Sequence, residues 1–251
     1  MLKITVLGTG SVIPAAGRRP TAIMAETASE NILFDCGPSV LDSAAESGYG
    51  ISSIDRIFLT HFHTDHSLGI GHLLAAVRND PDFPPDRIIS LYGPEGLEDF
   101  IASWSGIYGS LETVVPLFEL FEVSGDDSVA CKDSEVTVLD AVHGSRQAVS
   151  YKIESGYFIF VYTGDTELTD DLIDFCRGAD LIAAECSFPD EGRMGGHMTV
   201  SDVGRLASEA EPAGIVLVHM YPEVNAEAAR DRISDMCGAE VIVGSDGLVV
   251  T

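Results

Sequence analysis

Apolar residues along this chain come in short runs closed by glycine, proline or aspartate, and several of the runs alternate with polar positions. Lys3 to Leu7 alternates and predicts a strand, which Gly8-Thr9-Gly10-Ser11 breaks into a loop carrying Pro14, Gly17, Arg18, Arg19 and Pro20. Thr21 to Ala25 and Asn31 to Asp35 predict two short strands. Pro38 suits a first helical position and Gly48 a stop, so Pro38 to Ser47 reads as a short helix. Ile57-Phe58-Leu59 is a strand, and Leu68 to Val77 has helical spacing behind it. Arg87 to Tyr92 is the next strand, and Gly93-Pro94-Glu95 opens a helix running to about Trp104. Gly106 to Pro116 is loop-rich. The aromatic tract Tyr108 to Phe121 is read as core first and as a substrate wall second.

The second half repeats the alternation. Glu135 to Ala141 predicts a strand, and Val149 to Ile153 with Tyr157 to Tyr162 a hairpin turning at Glu154-Ser155-Gly156. Helix Thr169 to Cys176, strand Leu181 to Ala184 and a glycine-rich loop through His197 follow. Helix Ser201 to Ala210, strand Ile215 to Val218, a helix around Ala226 to Met236 and strands near Val241 and Val249 close the chain. Strands alternating with helices, without repeats or low-complexity linkers, predict an α/β protein folded as one unit over residues 1–251.

The chemistry is concentrated behind the Ile57-Phe58-Leu59 run, in Thr60-His61-Phe62-His63-Thr64-Asp65-His66-Ser67-Leu68-Gly69. Three imidazoles and a carboxylate this close together are costly as ordinary core, because each polar group needs a partner. His61 and His63, two apart on an extended segment, project to one side and can grip one ion. Asp65 and His66, at the turn into the next helix, can face a second. His143, Asp165 and His219 each follow an apolar strand at its carboxyl end, where α/β sheets present ligands. His72 lies inside a helix, off the ligand spacing, and reads as structural.

Composition narrows the setting. The 251 residues can bury a substantial core, 45% of them are hydrophobic, and no apolar run approaches the roughly 20 residues of a membrane span. Met1 leads into strand-like sequence rather than a signal peptide, so a cytoplasmic location is expected. Cys36, Cys131, Cys176, Cys186 and Cys237 are odd in number and form no C-x-x-C pair, which predicts reduced thiols. The formal charge is −26, from 40 acidic and 14 basic residues. Such a surface repels polyanions and weighs against a large RNA substrate. The acidic excess fits a salty cytoplasm or simple solubility.

The cluster, placed after a strand and followed by Gly69, resembles the signature of the metallo-β-lactamase superfamily, whose fold is a four-layer αβ/βα sandwich with a metal site at one edge of two sheets. Carried over by position, the resemblance implies that His61, His63 and His143 hold one ion, that Asp65, His66 and His219 hold another, and that Asp165 bridges them. The expected cofactors are two divalent ions. Zinc suits imidazole and carboxylate, and manganese or iron could occupy the same ligands. A water shared by two such ions becomes the nucleophile of a hydrolysis, with Asp65 among the catalytic residues.

Within the superfamily the chain is most similar to the ribonuclease Z-like branch. Gly8-Thr9-Gly10-Ser11, Phe34-Asp35-Cys36-Gly37, Gly164-Asp165-Thr166, Ala184-Glu185-Cys186-Ser187 and His197-Met198-Thr199 resemble its landmarks. The branch implies that His197, oriented by Glu185, assists phosphodiester cleavage. There are departures. Pro38-Ser39-Val40-Leu41 stands where the branch has glutamate, glycine, threonine and glutamine, and Arg18-Arg19-Pro20-Thr21 replaces an arginine-asparagine pair. Only 21 residues separate His143 from Asp165, leaving no room for the arm that holds a tRNA body. The expected substrate is therefore a small or short phosphodiester contacted by Arg18, Arg19 and Arg146. Ribonuclease Z activity is the second reading, and thioester or lactone hydrolysis on the same metals the third. A homodimer stays open.

Overall fold

The computed structural model describes residues 2–108 and 117–251. Two seven-stranded sheets face each other, with helices on both outer faces. The first sheet takes β1 (Lys3–Gly8), β2 (Ala22–Glu26), β3 (Asn31–Phe34), β4 (Arg56–Phe58), β5 (Ile89–Gly93) and β6 (Phe118–Glu122) in sequence order, with the last strand, β14 (Leu248–Val250), beside β1. The second runs β13 (Glu240–Val243), β12 (Gly214–Val218), β11 (Leu181–Glu185), β10 (Phe158–Tyr162), β9 (Val149–Ser155), β8 (Glu135–Asp140) and β7 (Ser128–Ala130). Pairs β3–β4–β5–β6 and β10–β11–β12–β13 are parallel.

Successive side chains of a strand point to opposite faces, and here both faces are covered, so the strands read as continuous apolar runs. Ile32 and Phe34 of β3 enter the core between the sheets, where they meet Phe58, Tyr151, Phe160 and Tyr162, while Leu33 faces outward under the helices. On β12, Val216 and Val218 point inward, and Ile215 and Leu217 point outward. The outer face of the first sheet is covered by α1 (Val40–Glu46), α3 (Gly69–Asn79) and α4 (Leu97–Tyr108), with α2 (Thr64–Ser67) leading into α3. The outer face of the second is covered by α5 (Asp170–Cys176), α6 (Val200–Ala210) and α7 (Ala226–Ser234). The result is the four-layer αβ/βα sandwich expected from the resemblance. Among the described residues, no helix is long and apolar enough to cross a membrane.

Local chemistry sets the helix ends. Thr199 and Asp202 form a reciprocal capping box at the start of α6, and Thr169 caps α5 through its hydroxyl. The first helix starts later than its proline predicts: Ser39 has φ +67°, which is incompatible with helix, so α1 begins at Val40. The aromatic tract also differs from expectation. Its described end forms β6, where Phe118 is buried in the core and Phe121 stacks on Tyr92, while residues 109–116 lie outside the described residues. Pairing with β5 makes this strand, and no local signal announces it.

Candidate metal centre

The loops at one edge of the two sheets bring the cluster together. His61 and His63 leave β4, Asp65 and His66 sit in α2, His143 follows β8, Asp165 follows β10, and His219 follows β12. Two close approaches shape this edge. Gly164 has φ +55° and lies against Thr60, where an added Cβ would stand 2.7 Å from the Thr60 methyl carbon. Gly37 packs on the Asp65 carbonyl, which a Cβ would meet at 1.8 Å. Asp35 and His219 also have positive φ, +61° and +51°, a costly conformation for residues with a side chain that here occurs at the site.

Three ring nitrogens converge. His63 Nδ1 lies 3.0 Å from both His61 Nε2 and His143 Nε2, and Asp165 Oδ2 stands 3.7 and 3.8 Å from the latter two. On the other side of Asp165, Oδ1 is 3.4 Å from both His66 Nε2 and His219 Nε2. Asp65 Oδ2 is 3.2 Å from His219 Nε2 and 3.6 Å from His66 Nε2. The two oxygens of Asp165 thus face two separate donor sets.

Hydrogen bonds behind the rings decide which nitrogens carry protons. His143 Nδ1 donates to the Gly196 carbonyl at 2.6 Å. His66 Nδ1 lies 2.7 Å from Asp35 Oδ2. Thr60 Oγ1 donates to Asp35, so its lone pairs accept from His61 Nδ1 at 3.0 Å. Ser187 gives its single hydroxyl proton to Glu185 and accepts from His219 Nδ1 at 3.0 Å. With their outer nitrogens held by these partners, His61 Nε2 and His143 Nε2 both face His63 Nδ1 at 3.0 Å. One proton on His63 Nδ1 can serve only one of them well, whereas a cation among the three rings serves all three. His66 Nε2 and Asp165 Oδ1 are buried and face each other at 3.4 Å without forming a hydrogen bond, an arrangement that an ion between them would satisfy. The donor set therefore fits divalent metal, and Asp35, Thr60, Ser187 and Gly196 supply the outer partners that metal-bound imidazoles require.

Electrostatics agree. Burial, and after it the neighbouring imidazole of His66, push the His61 pKa well below the ordinary value. Burial and His143 do the same, less strongly, to His63. Burial opposes charge on His66, yet Asp165 and Asp35 hold its pKa well above the usual range. Burial likewise opposes ionised Asp165, and the surrounding His219, His66 and His61 overcome it and hold this carboxyl well below its ordinary value. The interior is built for anions that need positive charge.

The residues predicted from sequence divide cleanly. His61, His63, His143 and Asp165 form one possible ligand group, Asp65, His66 and His219 a second, and Asp165, Glu185, His197 and His219 a third, with His197 Nδ1 3.0 Å from Glu185 Oε2 and 3.9 Å from Asp165 Oδ2. Arg18 and Arg19 have their partners elsewhere. Arg19 forks onto Glu46 at 2.7 and 2.9 Å and reaches Ser43, while Arg18 bonds Thr9 Oγ1 at 2.9 Å and the Gly244 carbonyl at 3.1 Å. A bidentate carboxylate already satisfies the planar fork of Arg19. Arg146 does border the centre, in a cavity shared with His61 and His63. His72 is exposed on α3, away from the cluster. Sequence reasoning quoted Asp35 and Ser187 within motifs and missed their roles. An acid directly after a buried strand, as Asp35 stands, is the signal that could have found the first.

Residues 30–220 match the family model of the beta-lactamase superfamily domain. Ribonuclease Z of Methanosarcina acetivorans is 27% identical over 277 residues, covering 88% of each chain. The probable metallo-hydrolase YhfI of Bacillus subtilis is 26% identical over 253 residues and 99% of each chain, and its crystal structure superposes with a TM-score of 0.87 over 99% of this chain and 98% of that one. The short form of human tRNase Z shares the fold, with a TM-score of 0.80, 23% identity and coverage of 99% of this chain and 98% of that one. The chain belongs to the β-lactamase superfamily, as one of its metallo-hydrolases.

Proposed function

We propose that the protein is a binuclear phosphodiesterase acting on a small or short phosphodiester. His61, His63 and His143 would hold one ion, Asp65, His66 and His219 the other, and Asp165 would bridge them; zinc suits this mixture of imidazole and carboxylate. Bound there, the ions supply Lewis acidity, acidifying water and offsetting negative charge on phosphate oxygens.

The observation that carries the reading is the Glu185–His197 pair. His197 is not needed for either donor set, yet it is held against the cluster by Glu185, whose Oε1 accepts from the Thr166 amide and whose Oε2 takes the Ser187 hydroxyl and His197 Nδ1. Burial opposes a charge on His197, and the bond to Glu185 outweighs it, raising the pKa above the ordinary imidazole value. With Nδ1 committed to Glu185, Nε2 is the nitrogen left to donate a proton to a leaving alkoxide, which an alkyl phosphodiester needs and a thioester, with its good thiolate leaving group, does not. Arg146, at the border of the centre, is the contact for a non-bridging phosphate oxygen.

Small substrates are favoured because β9 and β10, joined by a tight turn at Gly156, consume most of the chain between His143 and Asp165 and extend no arm. Ribonuclease Z activity is the second reading, supported by the Methanosarcina relative and opposed by the −26 charge. One metal-loaded preparation assayed on bis-p-nitrophenyl phosphate, alkyl diesters, cyclic nucleotides, precursor tRNA, thioesters and lactones tests it. The expected order places a small diester above precursor tRNA in kcat/KM at physiological salt. In His197→Ala, an alkyl diester should lose about 10²- to 10⁴-fold and the nitrophenyl diester less. Site-specific trimming of precursor tRNA that outpaces every small diester would reverse the order, and equal losses on both diesters would remove His197 as the acid.

A further inference from the structure

Beside His61 and His63 lies a cavity of about 270 Å³ whose other walls include Phe62, Glu95, Arg146 and Gln147. None of these four side chains is needed to hold the cluster, so the cavity asks for its own explanation. Phe62 is stacked on Phe100 of α4, with centroids 4.9 Å apart and planes inclined by 14°, which makes it a preordered flat wall. Gln147 Nε2 donates to Glu95 Oε2 at 3.3 Å, linking the turn before α4 to the turn after His143. That second turn is tight: the Arg146 amide returns to the His143 carbonyl at 3.2 Å around Gly144, which has φ +61°, so Arg146 and Gln147 are held next to a cluster residue.

Charge narrows the occupant. Arg19, Arg56 and Arg193 are each locked onto a carboxylate, whereas Arg146 makes no ion pair among the described residues. In a chain of −26 formal charge, an uncommitted guanidinium beside the centre marks where one anionic group arrives. Glu95, on the same cavity, repels a second anion and accepts N–H or O–H donors. An aromatic wall favours a flat ring. The volume is at the small end for ligand pockets, room for one ring-bearing unit rather than two.

We propose that this cavity is a subsite for a nucleobase-type ring, a planar heterocycle with hydrogen-bond donors, carried on one ester arm of the phosphodiester. The proposal rests on the phosphodiesterase reading above. The ring stacks on Phe62, its N–H groups donate to Glu95, the Gln147 amide pairs with its acceptor edge, and Arg146 takes the attached phosphate.

Calorimetric titration of the metal-loaded protein with 5′-AMP, ribose 5-phosphate and inorganic phosphate separates the ring from the phosphate. The expected result is that 5′-AMP binds about tenfold or more tightly than ribose 5-phosphate, a stacking-sized preference. Phe62→Leu and Glu95→Ala should each cut that preference severalfold and leave inorganic phosphate binding unchanged. Phe62 lies between two cluster histidines, so metal content is checked in that variant; exposed Glu95 and Gln147 give a second route, with Gln147→Ala expected to follow Glu95→Ala. Equal affinity for 5′-AMP and ribose 5-phosphate, or a preference that survives all three substitutions, overturns the subsite while phosphate binding leaves the phosphodiesterase reading standing. Absence of binding by all three ligands, with no turnover of any diester, overturns both.

Discussion

Asp35→Asn is the most informative single substitution, because Asp35 is fully buried behind the cluster. Its Oδ1 accepts from the Thr60 amide at 2.7 Å and the Thr60 hydroxyl at 3.0 Å; its Oδ2 accepts from Tyr162 at 2.7 Å and lies 2.7 Å from His66 Nδ1. Every neighbour is a donor. An amide of the same shape must present its NH₂ to one pair or the other, setting donor against donor. If the NH₂ faces His66, the imidazole moves its proton to Nε2, directed at Asp165, and loses the lone pair that a metal ion needs. Hydrogen bonds to a charged group contribute about 1.5–3 kcal/mol each, so losing two costs roughly 3–6 kcal/mol, a large share of a typical total near 5–15 kcal/mol. Loss of such an outer partner weakens metal affinity about 10- to 100-fold. The assay pairs chelator-competition titration with thermal unfolding of the metal-free and metal-loaded protein. Each tenfold loss of affinity removes about 1.4 kcal/mol of metal-dependent stabilisation when metal is in excess. Wild-type affinity together with wild-type unfolding of the metal-free form would refute the argument that Asp35 sets the His66 proton.

Asp165→Asn should bind fewer ions per chain by elemental analysis and lose nearly all activity, because an amide cannot neutralise two cations; full metal content with an unchanged rate would show that Asp165 does not bridge. The pKa of His197 is raised, so its proton is present below that pKa and lost as pH rises through it. The rate on an alkyl diester should therefore fall on the alkaline side, and that limb should vanish in His197→Ala; cations nearby oppose the proton, so loading metal should move the limb to lower pH. An unchanged limb in the variant would assign it to another group. Burial pushes the thiols of Cys176 and Cys186 up to about 12, with Cys36 also buried and raised. Iodoacetamide at pH 8 should leave these three unmodified in the native protein, with labelling of half-buried Cys237 first and of all five cysteines only after denaturation, read by mass spectrometry.

How much was legible in advance depended on how local the cause was. His61, His63, Asp65 and His66 were readable because one turn of chain holds them, and no packing argument accounts for four polar side chains there. The apolar runs of β3, β10, β11 and β12 declared themselves because both sheet faces are covered, so the runs are uninterrupted. Edges were less visible. Ser128–Ala130 has little apolar character and becomes β7 only through pairing with β8, and Phe118–Glu122 becomes β6 only beside β5. The start of α1 was misread because the positive φ of Ser39 depends on the surrounding fold.

By itself the sequence determined the strand and helix pattern, the local histidine cluster and the strand-end positions of His143, Asp165 and His219, since these follow from periodicity and residue chemistry. Only the tertiary structure decided that the two oxygens of Asp165 face two different donor sets, that Asp35 and Ser187 stand against the outer nitrogens of His66 and His219, and that Arg19 is spent on Glu46 while Arg146 is not. The reason is physical. A proton's position on an imidazole and a guanidinium's choice of partner are set by distances of about 3 Å between residues far apart in the chain, and no one-dimensional pattern encodes those distances.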